Sequence, residues 1–590
     1  GINATLNLKT NELYIFEPEP FDVSKERMVK FLPDSVISVK NDRNMIFNGK
    51  IQAGLADIYG ENFNFNYHSF RVDIVKGDSM AMLALNTRNK KERLDSVRSV
   101  FENVKGTLYI DTISDTFNNK SGMEEFNQFP RIVTTDTSYV YYDNITGGKY
   151  DRNKFYMEVF PFKLDSLNFI KLNGVKAKGT FVSGIFPDLD VTLDVQPDFS
   201  LGFEMPTPEH GMSLFKGKGT YHNTVKLNGE GLGGEGEINY LTTTAKAKQF
   251  MFYPDSVTGG VYYFDVKPVT KSQIGQIKDV RTDYPDVHAD TAQIFWNPGA
   301  DIFSCRTQDT ALVLFDGDVK FNGQIDITPT KMGGDGELLF KNSGLFSKKI
   351  NIGNTAFNAD SSLFCLFDPK HPGDSAGFLY TGLYDAKFNI EPSAMYAQFV
   401  VSNDSDFINF PQHKYRQRTD FFRWNMNANI FEFGKDLPEY DSKMIAPNDS
   451  AYEQMRLINT GSQYKPLRGG VVLTCTKDTL TYPAFGSSFN VDEQIIDVNE
   501  PGEITIVDSK IDPSGIIKVY PGGRIGKFDN ALITCNKDSM IHKILNTSVM
   551  VRDKYYYKAR GGEYEYHDLN DEISYMKIDS IEIRKQPRDA

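Results

Sequence analysis

Apolar and polar residues alternate with a period of two over most of the chain. Phe63-Asn64-Phe65-Asn66-Tyr67 sets aromatics on one face of an extended segment and amides on the other. Val225-Lys226-Leu227, Val319-Lys320-Phe321 and Tyr564-Glu565-Tyr566 repeat the arrangement. Gly, Asn-Gly, Pro-Asp and Asp-Ser steps interrupt these runs at short intervals, which is turn chemistry. The pattern predicts an all-β chain of short strands. Helical spacing is scarce: Asp22 to Lys30 and Asp449 to Leu457 read as short helices. The best helical candidate is Asn89 to Val104, where Leu94, Val97, Val100 and Phe101 would share one face.

Internal repeats are the strongest signal. Phe215-Lys216-Gly217, Val225-Lys226-Leu227 and Gly233-Gly234-Glu235-Gly236-Glu237-Ile238 return one hundred positions later. There they read Phe315-Asp316-Gly317, Ile325-Asp326-Ile327 and Gly333-Gly334-Asp335-Gly336-Glu337-Leu338. A second pair matches Leu473-Thr474-Cys475-Thr476-Lys477-Asp478 with Ile533-Thr534-Cys535-Asn536-Lys537-Asp538. Such a unit cannot bury its apolar face alone and stacks on its neighbours. Two architectures satisfy this: a parallel β-solenoid, or antiparallel meanders folded as sandwiches or an open half-pipe. The reading leans to a β-solenoid or half-pipe, because the copies keep glycines and inward residues but not outward ones. The chain divides into a β-rich segment over 1–129, a second over 130–211 and a β-repeat region over 212–411. A charged connector or insertion over 412–464 leads to C-terminal β-repeats over 465–590.

Composition narrows the function classes. With 590 residues, of which 40% are hydrophobic, the chain has material for several cores or one repeat array. The formal net charge is −13 and Lys and Arg are interspersed with Asp and Glu, so no basic stripe invites nucleic acid. No run of 18 apolar residues occurs, so no transmembrane helix is expected. An outer-membrane barrel is disfavoured because charges interrupt both faces of the strands. The start Gly1-Ile2-Asn3 reads as a processed chain or an excised piece of a longer one. Cys305, Cys365, Cys475 and Cys535 form no C-x-x-C pair and have no histidine at zinc-ligand spacing. Buried free thiols are favoured, with one or two disulfides as the alternative.

Triplets of Asp, then Ser or Thr, then an aliphatic residue or Met recur along the chain. Their hydroxyl residues are Ser35, Ser79, Ser96, Thr112, Ser166, Ser256, Thr291, Thr310, Ser375, Ser450, Thr479, Ser539 and Ser580. The plain reading is turn capping, since Asp and Ser side chains bond nearby backbone N–H groups. The triplet also resembles the O-glycosylation acceptor used by Bacteroidetes-type bacteria on periplasmic and surface proteins. A wider resemblance rests on Phe181-Val182-Ser183-Gly184-Ile185-Phe186-Pro187-Asp188, on Phe215-Lys216-Gly217-Lys218-Gly219 with the Gly-x-Gly repeat after it, and on the Tyr-rich C-terminal stretch. These look like large uncharacterised β-repeat cell-envelope proteins of Bacteroidetes. The resemblance implies an exported chain, in the periplasm, at the outer membrane or on the cell surface. It transfers no activity.

Catalytic signatures are missing from the sequence. The eight histidines show no H-E-x-x-H, and there is no G-x-S-x-G elbow or Walker loop. Gly231-Leu232-Gly233-Gly234-Glu235-Gly236 reads as turn glycine between strands. Asp188, Asp190, Asp194 and Asp198 recur at even spacing; paired carboxylates of this kind do acid/base work on glycosides or hold calcium. A solvated strand face accounts for them better. No catalytic, cofactor-binding or metal-binding residue is named, and no cofactor is expected. The leading expectation is a non-catalytic structural or binding protein of the envelope, with other envelope proteins, glycan or lipid as partners. A periplasmic lipid-conducting half-pipe and a carbohydrate-active enzyme on a β-helix are the alternatives. A filled interior favours the first, an open apolar groove the second, and a polar cleft with converging carboxylates the third.

Overall fold

A computed structural model describes residues 3–86, 93–111, 128–145, 147–171, 174–370, 377–402, 406–434, 470–535 and 542–584. The fold is all-β: among the described residues strands take up 63% and helix 3%, with no helix of seven residues or more. Two compact units share the chain. The first comprises Gly1–Phe264 with Asp290–Phe303, and the second Asp265–Ala289 with Ser304–Ala590.

In the first unit, Val29–Val39 (β1), Met45–Ala53 (β2), Ala56–Asn66 (β3), Arg71–Asn86 (β4) and Phe101–Tyr109 (β5) form an antiparallel run. Each ladder slips at mid-length, between Phe47 and Gly49 or Ile74 and Gly77, for example. In β3 the slip moves burial from Ile58 to Phe63, so the alternation changes phase within one strand. Glycines mark the slip: Gly49 faces Gly60, and Gly60 faces Gly77. A Cβ on Gly60 would lie 2.4 Å from the Lys76 carbonyl oxygen, and one on Gly77 2.2 Å from that of Val104. Bulges and side-chain-free positions bend strands. A row of them across neighbouring strands makes a crease, which folds the apolar face of the sheet inward.

The helical expectations over Asp22–Lys30 and Asn89–Val104 are corrected. Phe21–Ser24 is a strand, Met28 turns the chain at φ 54°, and β1 starts at Val29. Arg93–Ser96 and β5 are strands too, while residues 87–92 lie outside the described residues. Leu94 is exposed while Val97 and Phe101 are buried, so the apparent helical face is two strands and a turn. The expected helix at Asp449–Leu457 also lies outside the described residues.

The hundred-residue copies fold alike. Leu201–Pro206 (β6) precedes Gly219–Asn228 (β7), Gly231–Tyr240 (β8) and Thr243–Phe252 (β9) in the first unit. In the second unit the counterparts of β7 to β9 are Val319–Thr328 (β10), Lys331–Phe340 (β11) and Ser343–Ile352 (β12). Both copies enter through a left-handed turn, at Phe215-Lys216-Gly217 and Phe315-Asp316-Gly317. Both slip register at the same place, between Gly234 and Gly236 and between Gly334 and Gly336. These ladders are antiparallel, so of the two architectures left open the chain takes the meander. In the shorter repeat, Val471–Cys475 and Phe528–Cys535 each end on their cysteine; residues 536–541 lie outside the described residues.

The second unit shows how the interior is filled. Ala356–Leu366 (β13), Leu379–Asn389 (β14), Tyr396–Val401 (β15), Phe421–Asn425 (β16) and Ile430–Phe433 (β17) pair in that order. Phe364 on β13 and Phe431 on β17 are therefore four ladder steps apart, about 19 Å in a flat sheet. Their ring centroids are 6.1 Å apart. The sheet curls enough for inward rings to meet, and Phe399 and Trp424 occupy the same cluster. In the first unit Tyr142, Phe155, Phe181 and Phe203 form a comparable chain of rings, centroid to centroid 5.8, 5.1 and 5.2 Å.

Candidate functional site

With the inward face consumed by packing, chemistry has to be sought on the outward one. An open trough of about 260 Å³ lies there, over β6 to β9. Cross-strand registry builds it. Glu204 of β6 faces Lys226 of β7, Lys226 faces Gly233 of β8, and Gly233 faces Met251 of β9. Gly233 has no side chain in that row, and the Met251 sulfur lies 3.2 Å from where its Cβ would stand. One step along, Asn228 faces Gly231, a second position without a side chain.

The register slip supplies the rest of the rim. Between the pairs Gly234–Phe250 and Gly236–Ala247, the lone Glu235 opposes two residues, Lys248 and Gln249. All three are exposed. Among the described residues neither Glu235 nor Lys248 has an ion-pair partner, whereas Lys226 lies 3.5 Å from Glu204. That pair is exposed and well screened, so it is an adaptable rim and adds little stability. The reading of Gly231–Gly236 as turn glycine is corrected: these residues lie inside strand β8. A Cβ on Gly234 would lie 1.8 Å from the Thr224 carbonyl oxygen, so close strand approach explains the glycine.

The second copy keeps this backbone and changes the rim. Lys331 stands where the first has Gly231, and Asp326 and Asn351 replace Lys226 and Met251 around Gly333. Asp326 accepts hydrogen bonds from Ser304 at 2.6 Å and Gln324 at 2.9 Å. Lys349, in the place of Gln249, pairs with Asp360. Two groups of the second rim, Asp326 and Lys349, are thus engaged by their own neighbours.

Three of the carboxylates suspected from their spacing, Asp190, Asp194 and Asp198, take separate partners. Asp190 accepts from the Thr180 hydroxyl at 2.7 Å, and Asp194 lies 3.8 Å from Lys176. Asp188 is exposed at the approach to its strand. Asp198 accepts from the Ser200 hydroxyl and from the Gly229 backbone. Burial alone would raise its pKa, but hydrogen bonds from Ser200 and Gly229 outweigh it, and the net shift is downward. It therefore acts as a loop tie. Among the described residues no group of three or more His, Cys, Asp or Glu is placed to hold a metal ion.

Of the candidate glycosylation residues, Ser35, Ser96, Thr310, Thr479 and Ser580 are exposed, and Ser79, Ser166, Ser256 and Thr291 are half-buried. Thr112, Ser375, Ser450 and Ser539 lie outside the described residues. Several triplets also serve turns. Asp478 accepts from the Leu480 and Lys554 backbones at 3.0 and 2.9 Å, and the Ser256 hydroxyl bonds Asp255 at 2.9 Å. The four cysteines are free thiols. Burial pushes the Cys365 thiol up to about 11, helped by the nearby Glu337 carboxylate.

Sequence reasoning missed the trough. Its residues come from four strands, and only the difference between the copies, Gly231 against Lys331 and Lys226 against Asp326, hinted at it. No protein-family model matches the chain, and a search of curated proteins found no match either.

Proposed function

We propose that this chain is a non-catalytic structural or binding protein of a bacterial cell envelope, working through the polar outward face of its sheet. The observation that carries the reading is the 6.1 Å approach of Phe364 to Phe431. A half-pipe that conducts acyl chains keeps an apolar groove free for them. Here the inward rows of each unit are spent on one another, and burial of such rings is what holds each unit together. The exposed triplets at Ser35, Ser96, Thr310, Thr479 and Ser580 support an exported chain.

Two experiments test this. Native mass spectrometry after incubation with phospholipid vesicles should find the chain free of lipid; stoichiometric lipid would overturn the binding-protein reading in favour of lipid conduction. Fractionation of the source cells should place the chain in the envelope, with an intact mass above that of the bare polypeptide. A cytosolic location would overturn the compartment, and a bare mass would remove its glycosylation support.

A further inference from the structure

We infer that the trough over β8 binds a neutral, hydroxyl-rich chain, that is, a stretch of glycan laid across the strands; the inference rests on the binding-protein reading above. The volume, about 260 Å³, lies below the roughly 300–1,000 Å³ of pockets that enclose a small molecule. An open trough of that size takes a segment of a longer ligand. The row from Glu204 to Met251 spans three ladder steps, about 14 Å, which accommodates more than one sugar ring.

The rim chemistry selects the class. Three carboxylates, on Glu204, Glu230 and Glu235, stand against two ammonium groups, on Lys226 and Lys248. A polyanion meets the excess of carboxylates, and a polycation meets both lysines. Hydroxyls suit both signs, donating to carboxylates and accepting from ammonium groups and from the Asn228 and Gln249 amides. A peptide adding itself as a strand needs a free sheet edge, but β8 is paired on both sides. The glycine floor lets a flat ring approach the sheet, with Met251 as the apolar margin against which a sugar face packs. The second copy supplies an internal control, since its backbone is the same and its rim groups Asp326 and Lys349 are already engaged.

The test uses the full chain and isothermal titration with neutral hexasaccharides of the cello-, malto-, xylo- and manno- series. Polygalacturonate, a chitosan oligomer and inorganic phosphate form the charged arms. A neutral hexasaccharide should bind, with little dependence on salt. Lys226→Asp combined with Met251→Asn should weaken it at least tenfold at an unchanged melting temperature, because the second copy carries those residues on the same backbone. Failure of every neutral hexasaccharide, tighter binding of a charged arm, or full affinity in the double variant would each overturn the glycan site. None of those results touches the filled interior, which only lipid uptake would sink.

Discussion

Arg27 grips Asp111 with two prongs: its Nε lies 2.9 Å from one carboxylate oxygen and Nη2 3.0 Å from the other. The arginine sits in the turn before β1 and the aspartate just after β5, so the pair ties the start of the antiparallel run to its end. The Arg27 side chain is only 8% exposed. Removing one partner of such a pair strands a charge with little water around it. Arg27→Met should cost about 3 kcal/mol in urea denaturation, and adding Asp111→Leu should return part of that loss. An unchanged midpoint for the single variant would show that the pair is idle.

The crease makes a different demand. A Cβ on Gly77 would collide with the Val104 carbonyl oxygen at 2.2 Å, whereas around Gly174 nothing lies within 4 Å. Gly77→Ala should cost about 3 kcal/mol by overpacking. Gly174→Ala should be close to neutral. Equal melting temperatures for the two variants would remove the crease from the account of the fold.

Phe364 is 1% exposed and its ring touches those of Phe388, Phe399, Trp424 and Phe431. Phe364→Ala should therefore destabilise the second unit by about 3–5 kcal/mol, while Phe364→Leu loses less. The expected signature in hydrogen exchange is loss of protection across β13 to β17 together, because the five strands share this cluster.

The C-terminal hairpin, Glu563–His567 with Ile573–Lys577, carries a pH response. His567 sets Nε2 3.0 Å from Glu565 and Nδ1 2.8 Å from Asp571. Both ring nitrogens donate only when the imidazole is protonated. Hydrogen bonds to Glu565 and then Asp571 raise its pKa above the ordinary value. A raised folded-state pKa means stabilisation that is complete below the unfolded value and lost as pH rises through the folded one. The Glu565 pKa moves down, chiefly through the bond from His567, so its contribution fades as pH falls through the lowered value. Exchange protection of the hairpin should fall as pH rises above the ordinary imidazole value of 6.5. His567→Gln should flatten that profile.

How far the chain was legible can be judged from individual residues. Phe63 and Phe65 announce a strand whatever the fold, because side chains alternate across any extended backbone; both are buried. The identity of Gly233-Gly234-x-Gly236 with its copy announces a shared local shape, and the two stretches do share strand bounds and register slip. Leu94, Val97 and Phe101 misled, since three apolar residues at helical spacing are equally the ends of two short strands. The slip inside β3 was also hidden, because a single inserted position looks like noise in an alternating pattern.

Alternation, turn residues and internal matches suffice to show that this chain is built of strands, that some of its units are near-copies, and where side chains are missing. Those are local properties, set by φ/ψ preference, turn residues and alternation. Tertiary structure alone decided that the partners run antiparallel, that glycines 49, 60 and 77 line up into a crease, and that rings four strands apart meet. It also brought Glu204, Lys226, Glu235 and Lys248 around one trough. The physical reason is that alternation specifies which face of a strand is apolar but is silent about which strand lies beside it. That choice belongs to curvature and register, which emerge only when distant segments pack.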